Sequence, residues 1–213
     1  MAFIATIPAG AARDAVQRMY LRQQAAWGYL PNYAKVFCHR PQVMARWGQL
    51  LAEIKRPMDK RRFELVTFVA AHELRHSACA LAHGRALRPF FSDPQILAIA
   101  QSRLDGVLSE AEQCLVGFAR QIARDAARVS AAQITALEQN GYSEAEIFDI
   151  AAAAAGRAFF TKLLDALGVL PDSAFLAEDE SFRQTLTLGR PIDESESVSL
   201  PLAPPEPSHW ESG

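Results

Sequence analysis

The sequence predicts an all-α fold, on three observations. Apolar residues recur at helical intervals, as in Val43, Met44, Trp47, Leu50, Leu51 and Ile54. Start and stop signals punctuate the chain, among them the Ser109-x-x-Glu112 capping pattern and glycines at 141 and 168. No five-residue run shows the β-branched alternation of a strand.

Taken in order, Asp14–Trp27 has helical spacing through Val16, Met19, Tyr20 and Gln23, and Gly28 and Pro31 end it. Pro41–Ile54 resumes the pattern, and the polar, proline-containing Lys55–Met58 connects it onward. Asp59 is placed to cap a helix over Asp59–Leu74. Ser77–Leu87 is a further helix that Pro89 stops, with Ser77 as its expected N-cap. Asp93-Pro94 opens another. Glu110–Ala127 turns Cys114, Leu115, Phe118 and Ile122 inward. Ser130–Asn140 ends at Gly141, and the long, alanine-rich Ser143–Leu167 ends at Gly168. From about Ala177 the composition shifts. The stretch ESESVSLPLAPPEPSHWESG is rich in Pro, Ser and Glu and reads as a tail disordered on its own, or as an arm laying Leu200, Leu202 and Trp210 on a partner subunit. The expected organisation is therefore an N-terminal helical segment (1–26), a core (27–176) and a tail (177–213).

Composition narrows the function. The 213 residues are half hydrophobic, enough for one sizeable core. A net charge of −2, from 22 basic and 24 acidic residues, gives no basic excess that calls for nucleic acid or an anionic membrane. Three cysteines, Cys38, Cys79 and Cys114, are not a secreted disulfide framework. With neither a signal peptide nor a membrane-length apolar run, the expectation is a cytoplasmic protein.

Chemistry concentrates in HELRHSACALAH, residues 72–83. Its opening, His72-Glu73-x-x-His76, matches the zinc-protease pattern. On an unbroken helix His72, His76, Cys79 and His83 fall within roughly 60° of arc but span about 16 Å of axis. One ion cannot reach both ends, and no substrate-binding strand is predicted. No metal or other cofactor is therefore expected. The alternative is thiol chemistry, with Glu64 twelve residues before His76, fifteen before Cys79 and nineteen before His83.

That spacing resembles the alkylhydroperoxidase-D-like, or carboxymuconolactone decarboxylase, family. Its redox members carry Glu, eleven residues, Cys-x-x-Cys, three residues, His. In RRFELVTFVAAHELRHSACALAHGRAL, Glu64, Cys79 and His83 fall on the Glu, second Cys and His positions, and His76 replaces the first Cys. WGYLPNYAKVFCHRP and the stretch from Leu108 to Val169 resemble the flanks of the peroxidase-related branch, so about 150 residues, roughly 27–172, are covered. The resemblance implies a helical bundle, a homo-oligomer, and catalytic roles for Cys79, His83, Glu64 and His76. Lacking a cysteine at 76, the motif cannot form its own disulfide. One-cysteine reduction of a peroxide would stop at a sulfenic acid and need an external thiol. Two other readings stay open: proton transfer on a carbonyl substrate by His76, His83 and Glu64, as in decarboxylase members, or an inactive oligomeric redox or stress protein. His72 is expected packed or exposed, Glu73, Arg75 and Lys60-Arg61-Arg62 as solvated charge, and Cys38 and Cys114 as structural. Tyr33 or Trp47 could line the pocket.

Overall fold

The computed structural model describes residues 2–195, and among them there are helices but no strand. The helices are α1 (Asp14–Trp27), α2 (Asn32–Val36), α3 (Pro41–Lys55), α4 (Lys60–Glu73), α5 (Ser77–Ala86), α6 (Asp93–Ala100), α7 (Glu110–Asp125), α8 (Ala131–Gln139), α9 (Glu144–Ala166) and α10 (Glu180–Leu186). Among the described residues no helix is long and apolar enough to cross a membrane.

The bundle is organised around α4, which packs against α5, α7 and α9. Its residues from Phe63 to Ala71 are all buried, Glu64 and Thr67 included. A helix buried all round needs neighbours on every side. Asp59 caps it through the Arg62 amide at 2.9 Å, as its sequence predicts. Ser109 with Glu112, and Ser143 with Glu146, form capping boxes on α7 and α9. The basic run at the start of α4 is more than solvated charge. Arg61 pairs with Glu112 at 2.7 Å and Arg62 with Glu146 at 2.6 Å, tying α4 to both of those helix starts.

Two apolar clusters share this frame. The larger joins α4 to α8, α9 and α10. The smaller joins Met19 and Tyr20 of α1, Val36 to Cys38, and Met44 and Trp47 of α3 to Phe160 and Leu164 of α9, and it closes over Ala71 and Cys79. The N-terminal helical segment thus roofs the motif region.

The tail expectation is corrected from its first residues. Segment 178–195 is ordered structure on the core, not a loose extension. Phe182 and Leu186, four apart on α10, are fully buried. They press on Gly84 of α5, where an added Cβ would lie 2.8 Å from Leu186 Cδ1 and 2.9 Å from Phe182 Cζ. Glu178 pairs with Arg85 at 2.9 Å and Arg88 at 2.7 Å. The Pro/Ser/Glu-rich composition belongs to residues further on and hid this short stripe. Leu200, Leu202 and Trp210 lie outside the described residues.

Candidate active site

The site begins with a break in the backbone. Arg75 takes a left-handed conformation with φ of 56°, which costs a side-chain-bearing residue about 1 kcal/mol or more. It separates α4 from α5, so His72 and His76 do not share one helix. Two contacts from beyond α10 brace it. Arg75 Nη2 donates to the Leu188 carbonyl at 2.9 Å, and the Gly189 amide donates to Ser77 Oγ at 2.9 Å. A Cβ on Gly189 would lie 2.2 Å from the Arg75 carbonyl oxygen, so only glycine fits there.

The expected cap of α5 is corrected by one residue. His76 has extended backbone and is the N-cap, its Nδ1 accepting from the Cys79 amide at 3.1 Å. Ser77 is already helical, with its hydroxyl spent on Gly189. Cys79 therefore sits at the third helical position, still in the first turn, where the helix dipole favours an anion.

Cys79 is 6 % exposed, and polar side chains gather at it and at His83, one turn further along α5. Arg157 of α9 directs Nη1 to Cys79 Sγ at 3.5 Å. Glu64, 2 % exposed, accepts from His83 Nδ1 at 2.6 Å. Thr67 Oγ1 lies 3.2 Å from the same nitrogen and donates to the Phe63 carbonyl at 2.8 Å. Behind the cap, His76 Nε2 faces Asp165 at 3.9 Å, and Arg190 Nε lies 3.7 Å from the same carboxylate oxygen. Aromatic rings close the apolar side. Phe160 stacks on Phe37 and on Trp47, with centroids 6.2 and 5.6 Å away, and meets Tyr33 edge-on at 5.5 Å.

Electrostatics set the protonation states. Burial alone pushes the Cys79 thiol up, but the charges of His76 and Arg157 and hydrogen bonds from both bring it down to about 7. Burial opposes ionisation of Glu64 too, yet its imidazole partner holds it below the usual carboxylate range. His83 is pushed down, first by burial and then by Arg157, against the pull of Glu64. An ionised carboxylate only accepts. Nδ1 of neutral His83 therefore carries the proton, leaving Nε2 as the base. Burial lowers the His76 pKa, but Cys79 and Asp165 more than offset it and raise it above the ordinary value. Protonation at Nδ1 would forfeit the cap, because one nitrogen cannot both bear a proton and accept the Cys79 N–H. The charge of His76 and the start of α5 are thus coupled.

The structure pairs Glu64 with His83 and His76 with Cys79, and the charge of Arg157 acts on both pairs. Thr67, Arg157 and Asp165 join them, and none of these three is among the predicted catalytic residues. Arg157 carried one signal. The inward stripe of α9 runs Ile150, Ala153, Ala154, Arg157, Phe160, Thr161, Leu164, apart from Thr161 an apolar row holding one charge. His72 packs beside the Phe68 ring at 6.2 Å, and Glu73 pairs with Arg124 at 2.7 Å. Among the described residues no three His, Cys, Asp or Glu side chains converge to hold a metal ion. Cys38 is buried, Cys114 half-buried, and all three thiols are free.

No family model and no curated protein matches the sequence. Solved structures do match the fold. A peroxidase-related protein with an alkylhydroperoxidase AhpD core from Ralstonia eutropha JMP134 superposes with a TM-score of 0.71 at 20 % identity, over 82 % of this chain and 94 % of that one. A peroxidase-related protein from Silicibacter sp. TM1040 gives 0.69 at 18 % identity, over 83 % and 92 %. A debrominase in complex with 2,3,4-tribromopyrrole gives 0.63 at 17 % identity, over 80 % and 89 %. The chain thus has the all-helical architecture of the alkylhydroperoxidase-D-like proteins, the fold that its motif and flanks predict.

Proposed function

We propose that this protein reduces a peroxide with a single cysteine, and that Cys79 is the nucleophile. The observation that carries this reading is the Arg157 guanidinium on Cys79 Sγ at 3.5 Å, at the first turn of a helix, with a thiol brought to about 7. Such a sulfur is substantially thiolate near neutrality. It attacks the terminal oxygen of the hydroperoxide. An S–O bond forms, the O–O bond breaks, and sulfur is oxidised by two electrons as the peroxide is reduced. His83 Nε2, oriented by Glu64 through Nδ1, takes up the thiol proton and returns it to the departing alkoxide. The resulting sulfenic acid has His76 where a second cysteine would stand. Two equivalents of an external thiol return it to the thiol, releasing water and a disulfide of that thiol. A cytoplasmic setting would supply such a reductant. The assembly expected with this activity is a homo-oligomer.

The test is consumption of an organic hydroperoxide with dithiothreitol as reductant, together with dimedone capture of Cys79. Turnover and the adduct are expected in the wild type, and both vanish in Cys79→Ser. Equal turnover in the two proteins would refute the assignment. One feature favours a second reading: the Glu64–His83 pair at 2.6 Å does not involve sulfur. Proton transfer next to a carbonyl would survive Cys79→Ser and be lost in His83→Ala.

A further inference from the structure

Arg157 is 5 % exposed, and a buried guanidinium is costly unless anions and acceptors surround it. Its surroundings do not fully supply them. The nearby carboxylate, Glu64, is engaged by His83. Lys55 lies close enough to bias Glu64 and His83 and adds further positive charge. Cys79 Sγ takes one N–H of Arg157. Among the described residues Arg157 Nε is buried with no acceptor at all. One face of the group lies over the Phe160 ring, 5.7 Å from its centroid, which limits the guanidinium's freedom to swing toward other partners. A planar five-donor cation is therefore fixed beside the reacting sulfur, with donor capacity left over.

We propose that Arg157 is a catalytic residue whose unused N–H groups bind the peroxide oxygens and stabilise the leaving alkoxide. This rests on the peroxide-reducing reading above. During the attack, negative charge passes from Cys79 sulfur to the carbon-bound oxygen as the O–O bond breaks. A cation that contacts both atoms stays matched to the charge throughout, whereas one that served only the thiolate would hold charge back in the ground state. The alkoxide takes its proton from His83 where that imidazole holds the thiol's proton, and from water at high pH. Preset donors at a developing oxyanion are worth about 10²- to 10³-fold in rate.

The experiment compares two reagents on the full chain across pH, cumene hydroperoxide and iodoacetamide, in wild type, Arg157→Met and Arg157→Lys, with folding of each checked by circular dichroism. Both reagents need the thiolate, but only the peroxide expels an oxygen. The readout is the ratio of the two high-pH plateau rates, where the thiol is fully ionised and the thiolate fraction no longer enters. In Arg157→Met the peroxide plateau is expected to fall about 10²-fold. The alkylation plateau should hold or rise several-fold, because a more basic thiolate is a better nucleophile. If Arg157→Met fails to fold, Arg157→Lys is decisive. It keeps the charge but loses the fork, and its ratio is expected to fall at least about tenfold. A ratio equal to that of the wild type, in whichever variant folds, overturns the proposal and leaves Arg157 as a thiolate stabiliser alone. A wild type that alkylates normally but ignores peroxide overturns the peroxide-reducing reading, and this proposal with it.

Discussion

The titration of one sulfur links chemistry to stability. The Cys79 thiol lies at about 7 in the folded chain and near 8.5 in an unfolded one. Because the folded value is the lower, the stabilising contribution is absent below about pH 7. It grows as pH rises toward the unfolded value and is complete above it, at on the order of 2 kcal/mol. Urea unfolding of wild type and Cys79→Ser at pH 6 and pH 9 measures it. The wild type is expected to gain on the variant at the higher pH, and an unchanged difference would contradict the placement of Arg157 and the helix start. Glu64→Gln replaces a carboxylate that can only accept with an amide that can also donate, so the His83 tautomer is no longer fixed. It is expected to slow peroxide reduction about 10²-fold while leaving alkylation of the thiolate at high pH near wild type. Glu64, Cys79 and His83 stand out in the sequence through the family resemblance that their spacing carries, and two adjacent helices hold that spacing. Arg157 is not among the predicted catalytic residues, since it reaches the sulfur from 78 residues away, and its intrusion into an apolar stripe is its local signal.

Among the elements, α5 carries most of the site, and its cap, His76, lies one residue before the serine that the sequence predicts. Serine is a favoured N-cap, so Ser77 drew the assignment. The left-handed Arg75 and the claim of Gly189 on Ser77 Oγ hand the role to His76, and neither long-range contact has a local signature. The cap and the imidazole are separable. His76→Asn keeps a capping acceptor and is expected to retain stability within about 0.5 kcal/mol, whereas His76→Ala loses about 1 kcal/mol. In both, loss of the imidazole should raise the pH midpoint of Cys79 alkylation. Thermal melts and alkylation profiles on the two variants distinguish these outcomes. Gly189→Ala places a Cβ 2.2 Å from the Arg75 carbonyl. It is expected to cost about 1–3 kcal/mol and to shift the Cys79 midpoint although no site residue changes, which a urea titration with parallel alkylation would show.

Across the whole molecule, the bundle was legible because helix periodicity and caps are local properties, and nearly every predicted helix stands within a few residues of its expected bounds. The end of the core was not. Phe182 and Leu186 supply too short a stripe to outweigh the polar residues around them, yet both are fully buried. Phe182→Ala is expected to cost about 3–5 kcal/mol, measured by the urea midpoint, an effect a loose tail could not produce. For the proposed homo-oligomer, an exposed face of α9 is the candidate interface. Phe148 and Phe159, eleven residues apart and so on one helix face, are 72 % and 48 % exposed. Phe148→Asp is expected to lower the sedimentation coefficient toward that of a monomer, and an unchanged value would move the interface elsewhere. The brace on Arg75 also has a temporal meaning. Leu188 lies 113 residues after Arg75, so a chain emerging from the ribosome holds Cys79 long before it holds the segment that shapes the turn in front of it. The turn in front of the sulfur therefore gains its brace only once residues 188 and 189 are in place.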